Sequence, residues 1–328
     1  MNAPRILVTG GAGYIGSHTC KALAANGFQP VTYDNLFLGH RDAVRWGPFV
    51  HGDILDTQTL AEALRFHGIS AVIHFAALAY VGESVGAPSR YYRTNVVGTL
   101  SLLEACRTAG VRHVVFSSSC ATYGIPDCLP IRESTQQLPI NPYGRTKLIV
   151  EDMLADEANA YGLQFVSLRY FNAAGADLQL ELGERHEPET HIVPLAILAA
   201  MHRTGALPVY GDDYPTPDGT CVRDFVHVSD LADAHVRALD YLLSGGGNLA
   251  VNLGSGTGTS ILDLLGAVER RMNCSVPIRV VPRRIGDPPA LYADGTLARE
   301  RLGFVPKFSD IDTIVTTAVR FHAQRAAL

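Results

Sequence analysis

Tyr143 and Lys147 stand four positions apart in Asn141-Pro142-Tyr143-Gly144-Arg145-Thr146-Lys147. In a helix that spacing puts a phenol and an ammonium on one face. A phenol is a weak base near neutral pH, but a neighbouring cation favours its phenolate, so the pair can carry a proton to and from an alcohol oxygen. Ser119, following the apolar run Val114-Val115-Phe116, offers a hydroxyl to the same oxygen. Tyr and Lys on one helix face also fit an ordinary solvated surface, so the redox reading depends on what lies upstream.

Upstream, Gly10, Gly11, Gly13 and Gly16 satisfy both GxxGxxG and GxGxxG spacings directly after Ile6-Leu7-Val8-Thr9. Small residues there let the backbone turn tightly and approach a pyrophosphate, which meets amides at a helix N-terminus formed by Tyr14 and Ile15. Asp34 closes a second apolar run, Pro30-Val31-Thr32-Tyr33, and lies 18 residues beyond Gly16. A carboxylate there accepts from both adenosine ribose hydroxyls and repels a 2'-phosphate, which favours NAD over NADP. Asp53 is placed to hold the adenine amine with Ile54 against the base, and Phe75-Ala76-Ala77 gives the cofactor a small-residue approach. A tight turn and generic strand-end loops are the bland alternatives.

Elements must hold these groups in place. Short apolar runs at 6–9, 30–33, 49–51, 71–75, 114–116 and 165–168 read as strands, and Thr57–Phe66, Asn95–Ala109 and Tyr143–Ala160 read as intervening helices. Such alternation predicts an α/β, Rossmann-type, mostly parallel sheet with helices on both faces. The pattern loosens after Asn172. The polar stretch Gly183–Thr190 and the loop Asp212–Gly219 predict a smaller, mixed α/β C-terminal region closing over something held by the sheet. A later strand at 249–251, a helix at Ile261–Arg271 and the basic loop Pro282-Arg283-Arg284 complete the reading. Residues 1–170 are expected to be principally the nucleotide-binding domain and 171–328 principally the substrate region, with late segments returning to the sheet.

The 328 residues are 47% hydrophobic and 18% charged, enough apolar material for a large core. A net charge of -5 argues against a general nucleic-acid surface. Six cysteines lack any CxxC pair and are expected to be reduced, and scattered histidines and acids suggest no metal site. Without a signal-like or membrane-spanning apolar segment, cytoplasmic residence is the default expectation.

The chain resembles the extended short-chain dehydrogenase/reductase family over nearly its whole length. The resemblance rests on Gly10-Gly11-Ala12-Gly13-Tyr14-Ile15-Gly16-Ser17-His18 and on Tyr143-Gly144-Arg145-Thr146-Lys147. It also rests on Asp34-Asn35-Leu36, Asn95-Val96-Val97-Gly98-Thr99, Phe116-Ser117-Ser118-Ser119, Arg169-Tyr170-Phe171-Asn172 and the long run from Tyr214 to Val228. Within that family it is most similar to members that invert C4 of UDP-hexoses. The resemblance implies that UDP-glucose and UDP-galactose interconvert through a 4-keto sugar, with Tyr143 moving the C4 hydroxyl proton, Ser119 supporting the oxygen and Lys147 holding the nicotinamide ribose. It implies further NAD contacts at Asn35, Asn95 and Tyr170. It assigns Asn172, Arg223 and Arg284 to the diphosphate, Asp287 to the uridine ribose, and Tyr210 and Ile192 to the uracil side. A homodimer through the helices containing Tyr143 and starting near Asn95 is implied as well.

Departures from the family pattern set the open questions. Ala79 stands where many relatives carry a lysine, and His191 where asparagine is common. Leu291 matches a gate beside the sugar C2 substituent, so a dual-specificity or UDP-N-acetylglucosamine-directed epimerase is the alternative. A catalytically silent nucleotide-binding protein is another. Cys120-Ala121 after Ser119, in place of an acidic pair, argues against a 4,6-dehydratase.

Overall fold

The computed structural model describes residues 3–284 and 287–326; Met1 and Asn2, at the start of the N-terminal segment read for targeting signals, lie outside them. Its centre is a seven-stranded parallel sheet built from β1 (Arg5–Thr9), β2 (Gln29–Asp34), β3 (Phe49–His51), β4 (Ile69–His74), β5 (His113–Ser119), β6 (Gln164–Tyr170) and a strand from the C-terminal half, Leu249–Leu253. Ile6, Leu7, Val8, Ala71, Val72, Ile73, Val114 and Val115 are buried to 1% exposure or less, as strands covered on both faces require. On one face, Tyr14–Ala25 and Val228–Leu243 cover the sheet. On the other lie Thr57–Phe66, Gly98–Ala109 and Pro142–Tyr161.

In the order β3-β2-β1-β4-β5-β6 followed by Leu249–Leu253, successive crossovers run in opposite directions from β1. At such a switch point the loops beyond the strand ends leave a crevice. Gly10, Asp34, Phe75 and Ser119 all sit at that C-terminal edge, because parallel strands align their ends.

Several elements differ from the sequence reading. Ahead of Gly98–Ala109 the chain is already helical from Pro88, passing through a π-helical turn at Tyr92–Val97. The sequence reading also lacks the helix Val228–Leu243, whose buried face keeps helical apolar spacing but also carries Asp230 and His235. Asp230 is satisfied there by the backbone amides of Lys307 and Phe308 and by the Ser309 hydroxyl.

The remaining strands are short: β7 (Asn172–Ala174), β8 (Leu207–Tyr210), β9 (Val222–Arg223), β10 (Phe225–His227), then β11, the Leu249–Leu253 strand above, β12 (Thr259–Ser260), β13 (Ile278–Val281) and β14 (Ala290–Leu291). They pair as β7 with β10, β8 with β13, and β9 with both β12 and β14. Helices Ile192–Ala200, Ile261–Met272 and Ile311–Ala326 pack around a separate apolar cluster. The six cysteines are free thiols. Among the described residues no helix is long and apolar enough to cross a membrane.

Candidate active site

The glycine loop is shaped by close approach. Gly10 adopts φ +72°, and a Cβ on Gly16 would lie 2.2 Å from the Gly10 carbonyl oxygen. The helix Tyr14–Ala25 begins at Gly13 with neither a side-chain cap nor an acidic residue in its first turn. The start of the helix is therefore chemically suited to an anion brought from outside. Asp34, 7% exposed, accepts from the Ala12 amide at 3.0 Å and the Leu36 amide at 2.8 Å. Burial raises its pKa and those two amides oppose the shift. This combination of glycine turn, open helix start and strand-end carboxylate fits a dinucleotide.

Other expected cofactor residues fall along the same edge. Asn35 donates to the Asp53 carboxylate at 3.1 Å, and Asp53 accepts from the Leu55 amide at 2.9 Å. Phe75 and Ala76 place their amides on the Thr9 carbonyl, with Ala77 next in the chain. Ile54, expected against the adenine, is mostly buried in the core, where it faces Gly98. Asn95 is buried and bonded on both sides. Its Nδ2 donates to the Leu78 carbonyl and to Thr146 Oγ1, each at 3.0 Å, while its Oδ1 accepts from the Leu78 amide at 2.8 Å. Asn95 thus ties the loop beyond β4 to the Tyr143 helix.

Ser119 ends β5, and Tyr143 and Lys147 occupy the first two turns of Pro142–Tyr161. The helix is capped by Asn141, whose side chain accepts from the Gly144 amide at 2.8 Å, and Pro142 sits in its first turn, where no amide is needed. All three groups are buried, at 8%, 9% and 4% exposure. Lys147 Nζ donates to the Ser117 carbonyl at 2.7 Å and lies 5.8 Å from the Tyr143 ring centroid. Burial pushes the Lys147 ammonium down to about 7, with Glu151 resisting. Burial also pushes the Tyr143 phenol well above its ordinary range and Tyr170 adds to this, while hydrogen bonding from Ser119 draws it back. Tyr170 is fastened by its hydroxyl to Ser117 Oγ at 2.5 Å.

One turn beyond Lys147, Glu151 forms a buried pair with Arg169, which contacts it through Nε at 3.0 Å and Nη2 at 2.5 Å. Glu151 also accepts from Ser118 at 2.5 Å, and Arg169 reaches Tyr123 at 2.9 Å. Tyr123 in turn donates to Asn252 at 2.7 Å. This chain of bonds fastens the Tyr143 helix to β5, β6 and β11. Sequence reasoning did not assign Glu151 a role; its position one turn past Lys147 is the signal that could have found it.

The C-terminal lobe gathers the expected distal residues. Arg223 in β9 is in register with Leu291 in β14, and its Nη2 lies 3.3 Å from Asp287. The Asp287 amide donates to the Arg284 carbonyl, and the Arg284 guanidinium stands 3.8 Å from the Tyr210 ring centroid. Asn172 opens β7 alongside Phe225. Leu291 and Cys120 are half-buried against one apolar cluster that includes Tyr123 and Phe171, which joins the lobe to the residue after Ser119. Ile192 starts the helix Ile192–Ala200, preceded by His191.

The histidines and acids that look scattered in the sequence include one group that converges. Glu184, His186, Glu189 and His191 each bring one ligand atom within 4.8 Å of the others. His186 packs edge-on against Tyr14 and Tyr80, so this cluster adjoins the start of the glycine-loop helix. The alternation Glu-x-His-x-x-Glu-x-His is the sequence signal that marks it.

Comparison with known proteins gives concordant results. The model of the NAD dependent epimerase/dehydratase family matches residues 6–254. A UDP-glucose 4-epimerase from Rhizobium leguminosarum bv. trifolii is 54% identical over 324 residues, covering 99% of each chain. The crystal structure of UDP-glucose 4-epimerase from Brucella ovis in complex with NAD is similar at a TM-score of 0.95 and 61% identity, covering 97% of this chain and 98% of that one. The UDP-Glc/GlcNAc 4-epimerase of Campylobacter jejuni is similar at a TM-score of 0.86 and 37% identity, covering 98% and 100%.

Proposed function

The chain belongs to the NAD dependent epimerase/dehydratase family, and from that premise we propose that it reversibly epimerises C4 of UDP-glucose and UDP-galactose with NAD as cofactor. The observation that carries the chemistry is the burial of Tyr143 and Lys147 beside Ser119, on the sheet edge shared by Asp34 and the uncapped helix start.

The chemistry NAD supplies when bound is reversible acceptance of the C4 hydrogen with its electron pair, by way of a 4-keto sugar that turns its other face before re-reduction. The chain's own work is binding, orientation and proton transfer. The amides of Tyr14 and Ile15 with the turn at Gly10, Gly13 and Gly16 hold the pyrophosphate, and Asp34 and Asn35 hold the adenosine ribose. Asp53, Ile54, Phe75, Ala76, Ala77 and Tyr170 line the remainder. Tyr143 Oη takes the proton of the C4 hydroxyl and later returns it, Ser119 Oγ steadies the same oxygen, and charged Lys147 favours the phenolate.

For the substrate, Asn172, Arg223 and Arg284 engage the diphosphate, since a guanidinium fork matches phosphate oxygens. Asp287 takes the uridine ribose, Tyr210 and Ile192 flank the uracil, and His191 borders the sugar-phosphate path. Fixing UDP strongly while gripping the hexose weakly permits the rotation that inversion requires. Leu291 lies beside the C2 substituent. The protein acts as a homodimer in the cytoplasm; exposed Val97 and Leu100 at the start of the Gly98–Ala109 helix support the first point, and six free thiols fit a reducing compartment.

The test is to supply UDP-galactose and, separately, UDP-N-acetylgalactosamine to NAD-containing protein and to resolve the products. Formation of UDP-glucose is expected. Conversion of both substrates would assign dual specificity, and conversion of neither would overturn the reading. Leu291→Tyr, which narrows the space at C2, is expected to lower the ratio of acetylated to unacetylated turnover; an unchanged ratio would discount the gate.

A further inference from the structure

Outside the catalytic groups, the segment Glu184 to His191 concentrates four side chains whose donor atoms converge. We propose that Glu184, His186, Glu189 and His191 bind one divalent transition-metal ion, zinc in the first place, through one oxygen from each glutamate and one nitrogen from each histidine.

Donor chemistry and geometry agree. Imidazole nitrogen and carboxylate oxygen are both zinc ligands, and metal–donor bonds of about 2.0–2.2 Å set neighbouring donors of a tetrahedral site about 3.4 Å apart. His186 Nδ1 is 3.3 Å from Glu184 Oε1 and 3.7 Å from Glu189 Oε1, while His191 Nδ1 touches Glu184 Oε1. With all four donor atoms within 4.8 Å of one another, closing on an ion takes shifts on the order of 1 Å. Two carboxylates also match the charge of a divalent cation, leaving the site neutral with both imidazoles uncharged.

A second observation points inward. His186 Nδ1 is sealed from solvent and has no hydrogen-bond partner in acceptable geometry. Its nearest acceptors are the carboxylates of Glu184 and Glu189, and an ion at the centre of the cluster would bond all three groups directly. The surrounding structure already holds the segment in place. Arg185 pairs with Asp42 through bonds of 2.9 and 2.8 Å, and the Arg185 carbonyl meets His40 Nε2 at 2.8 Å. Bound metal would fasten this strap against the Tyr14 end of the glycine-loop helix, and would hold His191 as a neutral ligand at the border of the substrate path.

The experiment uses the full-length, NAD-containing protein stripped with chelator and titrated with Zn2+ against a chromophoric competitor, with Co2+ as a spectroscopic probe. One equivalent of Zn2+ and the intense visible absorption of four-coordinate Co2+ are expected. The His186→Gln, Glu189→Gln double variant should lose about 100-fold or more in Zn2+ affinity, more than the 10- to 100-fold typical of outer-shell changes, whereas exposed His202→Asn should not change it. Failure of the unaltered protein to bind one equivalent, a six-coordinate Co2+ spectrum, or equal affinity in the double variant would overturn the proposal and leave a proton-sharing group of two histidines and two glutamates. The Co2+ spectrum is read on the unaltered chain, so misfolding of a variant cannot mask the answer, and neither readout depends on epimerase turnover.

Discussion

Two opposing influences meet at Tyr143. Burial raises the phenol pKa and Ser119 lowers it, while Lys147, itself pushed down to about 7 by burial, favours the phenolate only when protonated. The lysine loses its proton as pH rises, and the phenol needs a higher pH to lose its own. The two requirements therefore confine turnover to an intermediate pH range. Tyr143→Phe keeps the ring and removes the oxygen that holds the proton. Its turnover should fall about 10²- to 10⁴-fold with UDP binding retained. Steady-state assays beside a UDP titration check this, and near-normal turnover would remove Tyr143 from the proton path. Tyr143, Lys147 and Ser119 are legible as candidates in the sequence because their types are chemically specific. The hydrogen bonds of Asn95 are not, since its Leu78 and Thr146 partners come from segments distant in the chain.

The Pro142–Tyr161 helix is held by more than its apolar face. Glu151 and Arg169, both 8% exposed, form a pair in which each removes the other's uncompensated charge from the core. Breaking one side of such a pair leaves a buried charge alone, at a cost of about 3–5 kcal/mol. Glu151→Gln should therefore lower unfolding stability by that order, measured as a shift in denaturant midpoint. A loss under about 1 kcal/mol would place the pair among ion pairs whose solvation cancels their attraction. Element positions near the glycine motif and along Thr57–Phe66 are readable from local patterns. The Val228–Leu243 helix keeps helical apolar spacing, but the burial of its Asp230 is not readable locally, because the groups that satisfy it lie far away in sequence.

Across the whole molecule, four histidines are enclosed in the neutral state. Burial lowers His18, His227 and His235 to about 4 and His74 to about 3. Their folded values lie below the ordinary histidine value, so the unfolded chain takes up protons that the folded chain refuses. Stability from these sites is full above about pH 6.5 and is lost as pH falls toward 4. Each histidine contributes a slope of up to about 1.4 kcal/mol per pH unit in that window. Urea unfolding at pH 7 and pH 5 should show a marked fall in midpoint at the lower pH; equal midpoints would contradict this account.

The sequence alone determines what is local and chemically specific: the glycine turn, the Asp34 strand end, the Tyr143 and Lys147 helix face, and the strand and helix alternation that makes a parallel sheet. These are legible because steric demands and periodicity act over a few residues. Tertiary structure decides what depends on distant segments meeting. It draws β11 from the C-terminal half into the central sheet, sets Arg223 beside Leu291 and Asp287, and encloses Glu151 with Arg169. It also folds a polar stretch of irregular sequence into the Glu184 to His191 cluster against Tyr14. The sheet, Arg223 and Glu151 outcomes rest on burial and complementary charge between segments remote in the chain, which no local pattern encodes, and the cluster's local spacing does not by itself set its place against Tyr14.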